Sequence, residues 1–136
     1  MKLFHVGKLD TKTNYALLFL RVSVSLLMLT HGVTKLLNFF DLAPLQFPDP
    51  LGIGPELSII LAILAEVVCS ILLILGLWTR AVLIPLIVTM FIAIFMVHLH
   101  HDLATKELTI IYLIVYIVLM ITGPGKFSLD YKIYRK

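Results

Sequence analysis

Four long apolar runs, parted by short polar or breaker-rich segments, dominate this chain. The first reads YALLFLRVSVSLLMLTHGVTKLL and covers about residues 15–37; the others cover about 56–77, 81–98 and 107–122. At ~1.5 Å of rise per residue, runs of this length approach or exceed the ~30 Å hydrocarbon core of a bilayer. Residues 38–55, NFFDLAPLQFPDPLGIGP, carry too many prolines and glycines for a regular helix and predict an outer loop. Gly76 to Arg80 is so short a connection that the second and third runs form an antiparallel hairpin, with Trp78 suited to the interface. Pro85 falls in the first turns of the third run, where proline is tolerated. The turn His98-Leu-His-His-Asp-Leu joins the third and fourth runs, and Gly123-Pro124-Gly125 stops the fourth. The pattern predicts an all-α, polytopic membrane protein: one four-transmembrane-helix bundle with a short tail at 123–136.

Composition agrees. Of 136 residues, 60% are hydrophobic and only 14% charged, well beyond a soluble domain of this size. Basic residues gather on one side of the four spans: Lys2, Lys8, Lys12, Arg80, Lys126, Lys132, Arg135 and Lys136, against Lys35 and Lys106 on the other. The positive-inside rule then puts both termini in the cytoplasm and the outer loop outside, in a bacterial plasma (inner) membrane. The net charge of +3 reads as a topology signal, and no nucleic-acid partner is expected. The polar N-terminus lacks a signal-peptide core, so the first span directs translocation. Cys69, the single cysteine, lies inside an apolar run, which excludes the dithiol-to-quinone chemistry that needs cysteine pairs.

The candidate chemistry lies where polar groups interrupt the spans. Glu66 is an acid near the midplane and Arg21 a base inside the first span, so each requires a partner or a cavity. Counting rise from the run ends separates them by only ~6 Å along the axis, which predicts an Arg21–Glu66 ion pair. At ~100° per residue Arg21, Ser25, Met28, Gly32 and Lys35 share one face of the first helix, with His31 about 80° to one side. Ala62, Ala65, Cys69 and Ser70 keep the surroundings of Glu66 small. His31, Lys35, His98 and Glu107 end or begin runs at the outer side, predicting a polar pocket floored by Arg21 and Glu66. Tyr112 and Tyr116 are further candidates for ligand contact, though Tyr116 lies on the wheel face opposite Glu107. In this reading Glu66, His31 and His98 are the candidate catalytic groups, and Arg21, Lys35, Glu107, Tyr112 and Tyr116 the candidate ligand contacts. The H-x-H-H spacing at His98, His100 and His101 matches no strong metal-ligand pattern, so no metal site is expected, and a haem between His31 and His98 is disfavoured.

Arg21, HGVTKL at 31–36, GIGP at 52–55, Glu66, LGLWTR at 75–80, His98, Glu107 and GPGKFSLD at 123–130 occur in one order with matching spacing. In these features the chain resembles the DoxX family of small four-helix membrane proteins, over about residues 15–130. The resemblance carries Arg21, His31, Gly32, Lys35, Glu66, Gly76, Arg80, His98 and Glu107 as motif residues, and it counts Gly32, Gly76, Arg80, Gly123 and Gly125 as structural positions. The FPDP part of the outer loop and His100–His101 depart from the pattern. The family implies a quinone-linked redox membrane subunit, with quinone as the cofactor and a soluble or membrane redox partner. Two other expectations stand beside it. One is a non-catalytic subunit that stabilises or recruits a partner, favoured because no side chain here carries electrons. The other is small-molecule or proton transport, which with only four helices requires a homo-oligomer. Membrane lipid surrounds the chain in every case.

Overall fold

In the computed structural model, residues 9–41, 44 and 46–134 are described. Lys2, Lys8, Arg135 and Lys136, counted for the charge asymmetry, and Ala43 of the outer loop lie outside them. Among the described residues all regular structure is helical. Four helices are long and apolar enough to cross a membrane: α1 (Thr11–Phe40), α2 (Pro55–Leu75), α3 (Thr79–Val97) and α4 (Leu103–Thr122). A short fifth, α5 (Leu129–Tyr134), follows. Packing runs around a ring: α1 on α2, α2 on α3, α3 on α4, and α4 more sparsely on α1. Phe19, Leu27, Val68, Ile84, Phe91 and Ile121 point away from this ring and form part of an apolar girdle, as lipid contact requires.

Helices α1 and α4 each begin four residues before their apolar runs, for a local reason. The Asp10 carboxylate accepts from the Thr13 backbone N–H at 3.4 Å and from the Thr13 hydroxyl, capping α1. Asp102 starts α4, its carbonyl accepting from Thr105 and Lys106 at 3.1 and 3.4 Å. The end of α2 is a Schellman turn: Gly76 N–H bonds the Leu73 carbonyl and Leu77 N–H the Leu72 carbonyl, with Gly76 at φ 66°. A side chain at Gly76 would also collide with Ser128 and with the Arg21 guanidinium, 2.6 and 2.7 Å from an added Cβ.

That collision marks the first correction. Arg21 is level with the Gly76 turn, at the end of the bundle where the first and last described residues, Leu9 and Tyr134, lie (the terminal end). It is 1% exposed. Its guanidinium donates to the carbonyls of Pro124, Phe127 and Ile74. Ten residues of α2 separate Gly76 from Glu66, or ~15 Å, so the predicted Arg21–Glu66 pair does not form. The counting estimate failed because it took the two runs to end level, whereas Gly32 of α1 packs on Glu66 and Val67 and so leaves Arg21, eleven residues earlier, ~16 Å nearer the Gly76 end.

The basic tail folds over this terminal end. Lys126 N–H donates to Asn14 Oδ1 at 2.6 Å, and Asn14 Nδ2 donates back to the Leu9 and Asp10 carbonyls. Asp130 is 2% exposed, and its two oxygens accept from the Trp78 and Thr79 N–H groups at 2.7 and 2.8 Å. It therefore caps α3 from across the chain and lies within electrostatic reach of Arg21. The hydrophobic core fills the same half of the bundle, with Leu17, Val24, Met28, Leu73, Leu83, Leu86, Met90, Tyr116 and Leu119 all buried in it.

Asp130→Asn keeps one acceptor and loses the charge. Thermal or denaturant melts in detergent should show a loss of about 1.5–3 kcal/mol, the range for a charge-assisted bond. An unchanged melt contradicts the cap.

Candidate functional site

The other half of the bundle is built around Glu66. Residues Leu64–Cys69 of α2 form a π-helical segment, and a second, Ala93–Val97, ends α3. His98 N–H closes that second segment on the Ala93 carbonyl at 2.9 Å. Wide turns of this kind interrupt the regular ladder and recur at functional sites. Both segments face one cavity of about 450 Å³, at the end of the bundle that carries the outer loop. Helix α2 supplies Ala62, Ala65 and Glu66 to its wall, and α3 supplies Val88, Thr89, Ala93 and Val97. The loop supplies Phe47, Pro48, Pro50 and Leu51, and His98 stands at the loop end. The lining is mostly hydrocarbon, so the charged groups in it stand out.

Those charged groups are a pair. Lys35 Nζ bonds Glu66 Oε1, with Glu66 2% exposed. The lysine side chain is 31% exposed, and its ammonium lies 6.0 Å from the Phe47 ring centroid. Lys35 therefore replaces Arg21 as the partner of Glu66. The cause is local: Gly32 lets α1 approach α2 so closely that an added Cβ would sit 2.8 Å from Val67 and 3.0 Å from Glu66. Lys35 lies one turn further along the same face and reaches the carboxylate. Glu66 Oε2 is buried with no hydrogen-bond partner among the described residues.

The remaining sequence candidates separate. His98 lies at the cavity with Lys35 and Glu66. Its Nδ1 is 2.9 Å from His101 Nδ1, so one ring donates and the other accepts. Burial, then the neighbouring His101 and Lys106, hold the His98 pKa below the ordinary histidine value. His31 does not line the cavity: it is exposed on the flank of α1, with its ring edge-on to Tyr112 at 5.9 Å. Glu107 is exposed on the first turns of α4 and does not line it either. Tyr112 and Tyr116 are buried and stacked at 6.1 Å inside the bundle. Arg21 belongs to the terminal end, as do Gly123 and Gly125, which pass Arg80 and Leu17 with φ near 80° and 76°.

Sequence reasoning missed several groups. Phe47, Pro48 and Pro50 help line the cavity, although FPDP falls outside the recognised motifs. Asp49 within it accepts from the N–H groups of Ile53 and Gly54 at 3.0 and 2.8 Å and from the Ser58 hydroxyl at 2.9 Å. This ties the loop to the start of α2 and orders the cavity wall. A carboxylate five residues before the Gly54-Pro55 helix start was the available signal. Asp130 had a signal as well, the closing acid of GPGKFSLD.

Comparison with known proteins fits this picture. No solved structure shows a significant match. An uncharacterised protein of Haemophilus influenzae is 32% identical over 138 aligned residues, which cover 96% of this chain and all of that protein. The DoxX family model matches residues 16–99, more than half of the chain, from the start of α1 through the cavity to His98. With four apolar spans around a common interior, the chain is a membrane protein that belongs to the DoxX family.

Proposed function

We propose that this protein is a redox-linked membrane subunit that binds the headgroup of a quinone in the cavity beside Lys35 and Glu66. One observation carries the reading: an ion pair sits on the wall of a mostly hydrocarbon cavity, and one oxygen of its buried carboxylate has no partner among the described residues. A cavity of about 450 Å³ lies within the usual range for small-molecule sites. Its apolar walls suit a flat ring with a prenyl tail, and its few polar groups suit carbonyl oxygens.

A bound quinone supplies two-electron, two-proton chemistry. The chain supplies the rest. The Lys35 ammonium donates a charge-assisted hydrogen bond to a carbonyl oxygen. Glu66 holds and returns a proton at its free oxygen, in the role of general acid and base. His98 accepts or donates at the loop end of the cavity. Lone Cys69 cannot form an internal disulfide, and no other side chain here is a two-electron redox group. The electrons therefore come from a separate redox partner, soluble or membrane-bound. The positions of Lys12, Arg80, Lys126 and Lys132 support a cytoplasmic terminal end, with the cavity toward the outside.

Quinone retained by protein purified in mild detergent, measured by mass spectrometry across variants, tests the site. Lys35→Met should weaken binding by ~1.5–3 kcal/mol, roughly ten- to hundredfold. Changing His100 and His101 together to Asn should leave it unaltered. Equal retention by Lys35→Met and wild type, with melts confirming folding, contradicts the proposal. Orientation is read by fusing alkaline phosphatase after Lys136: the expected fusion is inactive, and an active one overturns the assignment.

A further inference from the structure

Several hydroxyl groups in the spans are satisfied locally, while Thr79 Oγ1, at the very start of α3, is buried without a partner among the described residues. Thr30, Thr34, Thr89 and Thr122 each donate to a backbone carbonyl three or four residues earlier, as hydroxyls in membrane helices commonly do. Ser25 and Ser70 do not. Both are fully buried, and neither oxygen has a partner among the described residues. The same holds for Tyr116 Oη, Glu66 Oε2 and Arg21 Nε, all on residues at most 2% exposed.

These five atoms lie in sequence along the bundle. Ser70 is about one turn from Glu66 on α2, and Ser25 one turn from Arg21 on α1. Glu66 is level with Gly32 and Arg21 with Gly76, so both serines lie in the interval between the two charges. Tyr116 enters the interval from α4. It stacks on the terminal side of Tyr112 and lies within electrostatic reach of Glu66 and Cys69. Unpartnered polar atoms in a dry interior are costly, and water bound between several of them removes that cost.

We propose that a file of bound waters runs along the bundle axis from Glu66 Oε2 past Ser70, Tyr116 and Ser25, and that the Arg21 guanidinium closes it at the terminal end. The plug is electrostatic as well as steric. A fixed guanidinium repels a hydrated proton, as cationic constrictions do in proton-excluding pores. Its Nη atoms are held by the carbonyls of Pro124, Phe127 and Ile74, and Asp130 lies behind it. Lys35 is the other charged group at the upper end. A proton taken up by the Glu66 carboxylate from the loop end is shared with the file and returns to the loop end. None is delivered to the other face, so the membrane stays proton-tight. This device does not depend on which ligand the cavity takes.

Proteoliposomes holding the full-length protein, a trapped pH dye and a valinomycin-imposed potassium potential test the plug. Wild type and Arg21→Lys should leak no more than empty vesicles. Arg21→Gln should raise proton flux by about tenfold or more. Adding Ser25→Val and Ser70→Val to Arg21→Gln should close the leak again by drying the file. A tight Arg21→Gln protein, or a leak that survives the two valines, overturns the proposal. Should Arg21→Gln fail to fold, the wild-type background gives a second reading. The infrared carboxyl band that disappears in Glu66→Gln should shift in both Tyr116→Phe and Ser70→Ala. A band unmoved by either change overturns the file.

Discussion

The arrangement depends on keeping a carboxylate charged, or chargeable, in the middle of a hydrocarbon slab. Glu66 is affordable there because Lys35 meets one of its oxygens. Breaking such a pair typically costs ~3–5 kcal/mol, because the surviving charge is left bare. The pair in turn requires the close approach of α1 and α2, which Gly32 provides. The π-helical segment around Glu66 and the small residues Ala62 and Ala65 leave open space beside the carboxylate, and that space is the cavity.

The two halves of the bundle divide the work. The terminal half is closely packed: it holds the hydrophobic core, and Arg21, Asn14 and Asp130 clamp the folded-back segment 123–130 onto the helix ends. Each of these polar groups satisfies backbone N–H or carbonyl groups that the bilayer would otherwise strand. The loop half is open, with its cavity walled by α2, α3 and a loop ordered by Asp49. A firm base with a hollow upper part suits a site in which a few side chains must be held still around a ligand.

Much of the fold was legible because hydropathy over 18 or more residues leaves few alternatives to spanning helices. The Arg21, Ser25, Met28, Gly32 face of α1 was legible for the same kind of reason, since 3.6-residue periodicity fixes which side chains share a side. What failed was axial register. Two antiparallel helices can slide by whole turns without altering either pattern, and a slide of several turns, on the order of the ~15 Å between the levels of Arg21 and Glu66, decides whether Glu66 meets Arg21 or Lys35. The deciding contacts, Gly32 on Val67 and Gly76 on Ser128, depend on chain segments far apart in sequence. The loop's part was hidden because Phe47 and the prolines around it follow no periodicity, and their place is set by the hydrogen bonds of Asp49.

The central claim is that the space beside Lys35 and Glu66 is a binding site for a carbonyl-bearing ring. A photoreactive quinone analogue, cross-linked to the purified protein and mapped by peptide mass spectrometry, addresses it most directly. The account predicts labelling on the cavity wall, at Phe47, Ala62, Val88 or Ala93, and competition by excess unlabelled quinone. Labelling confined to lipid-facing positions such as Phe19 and Ile121, with no competition, would contradict it.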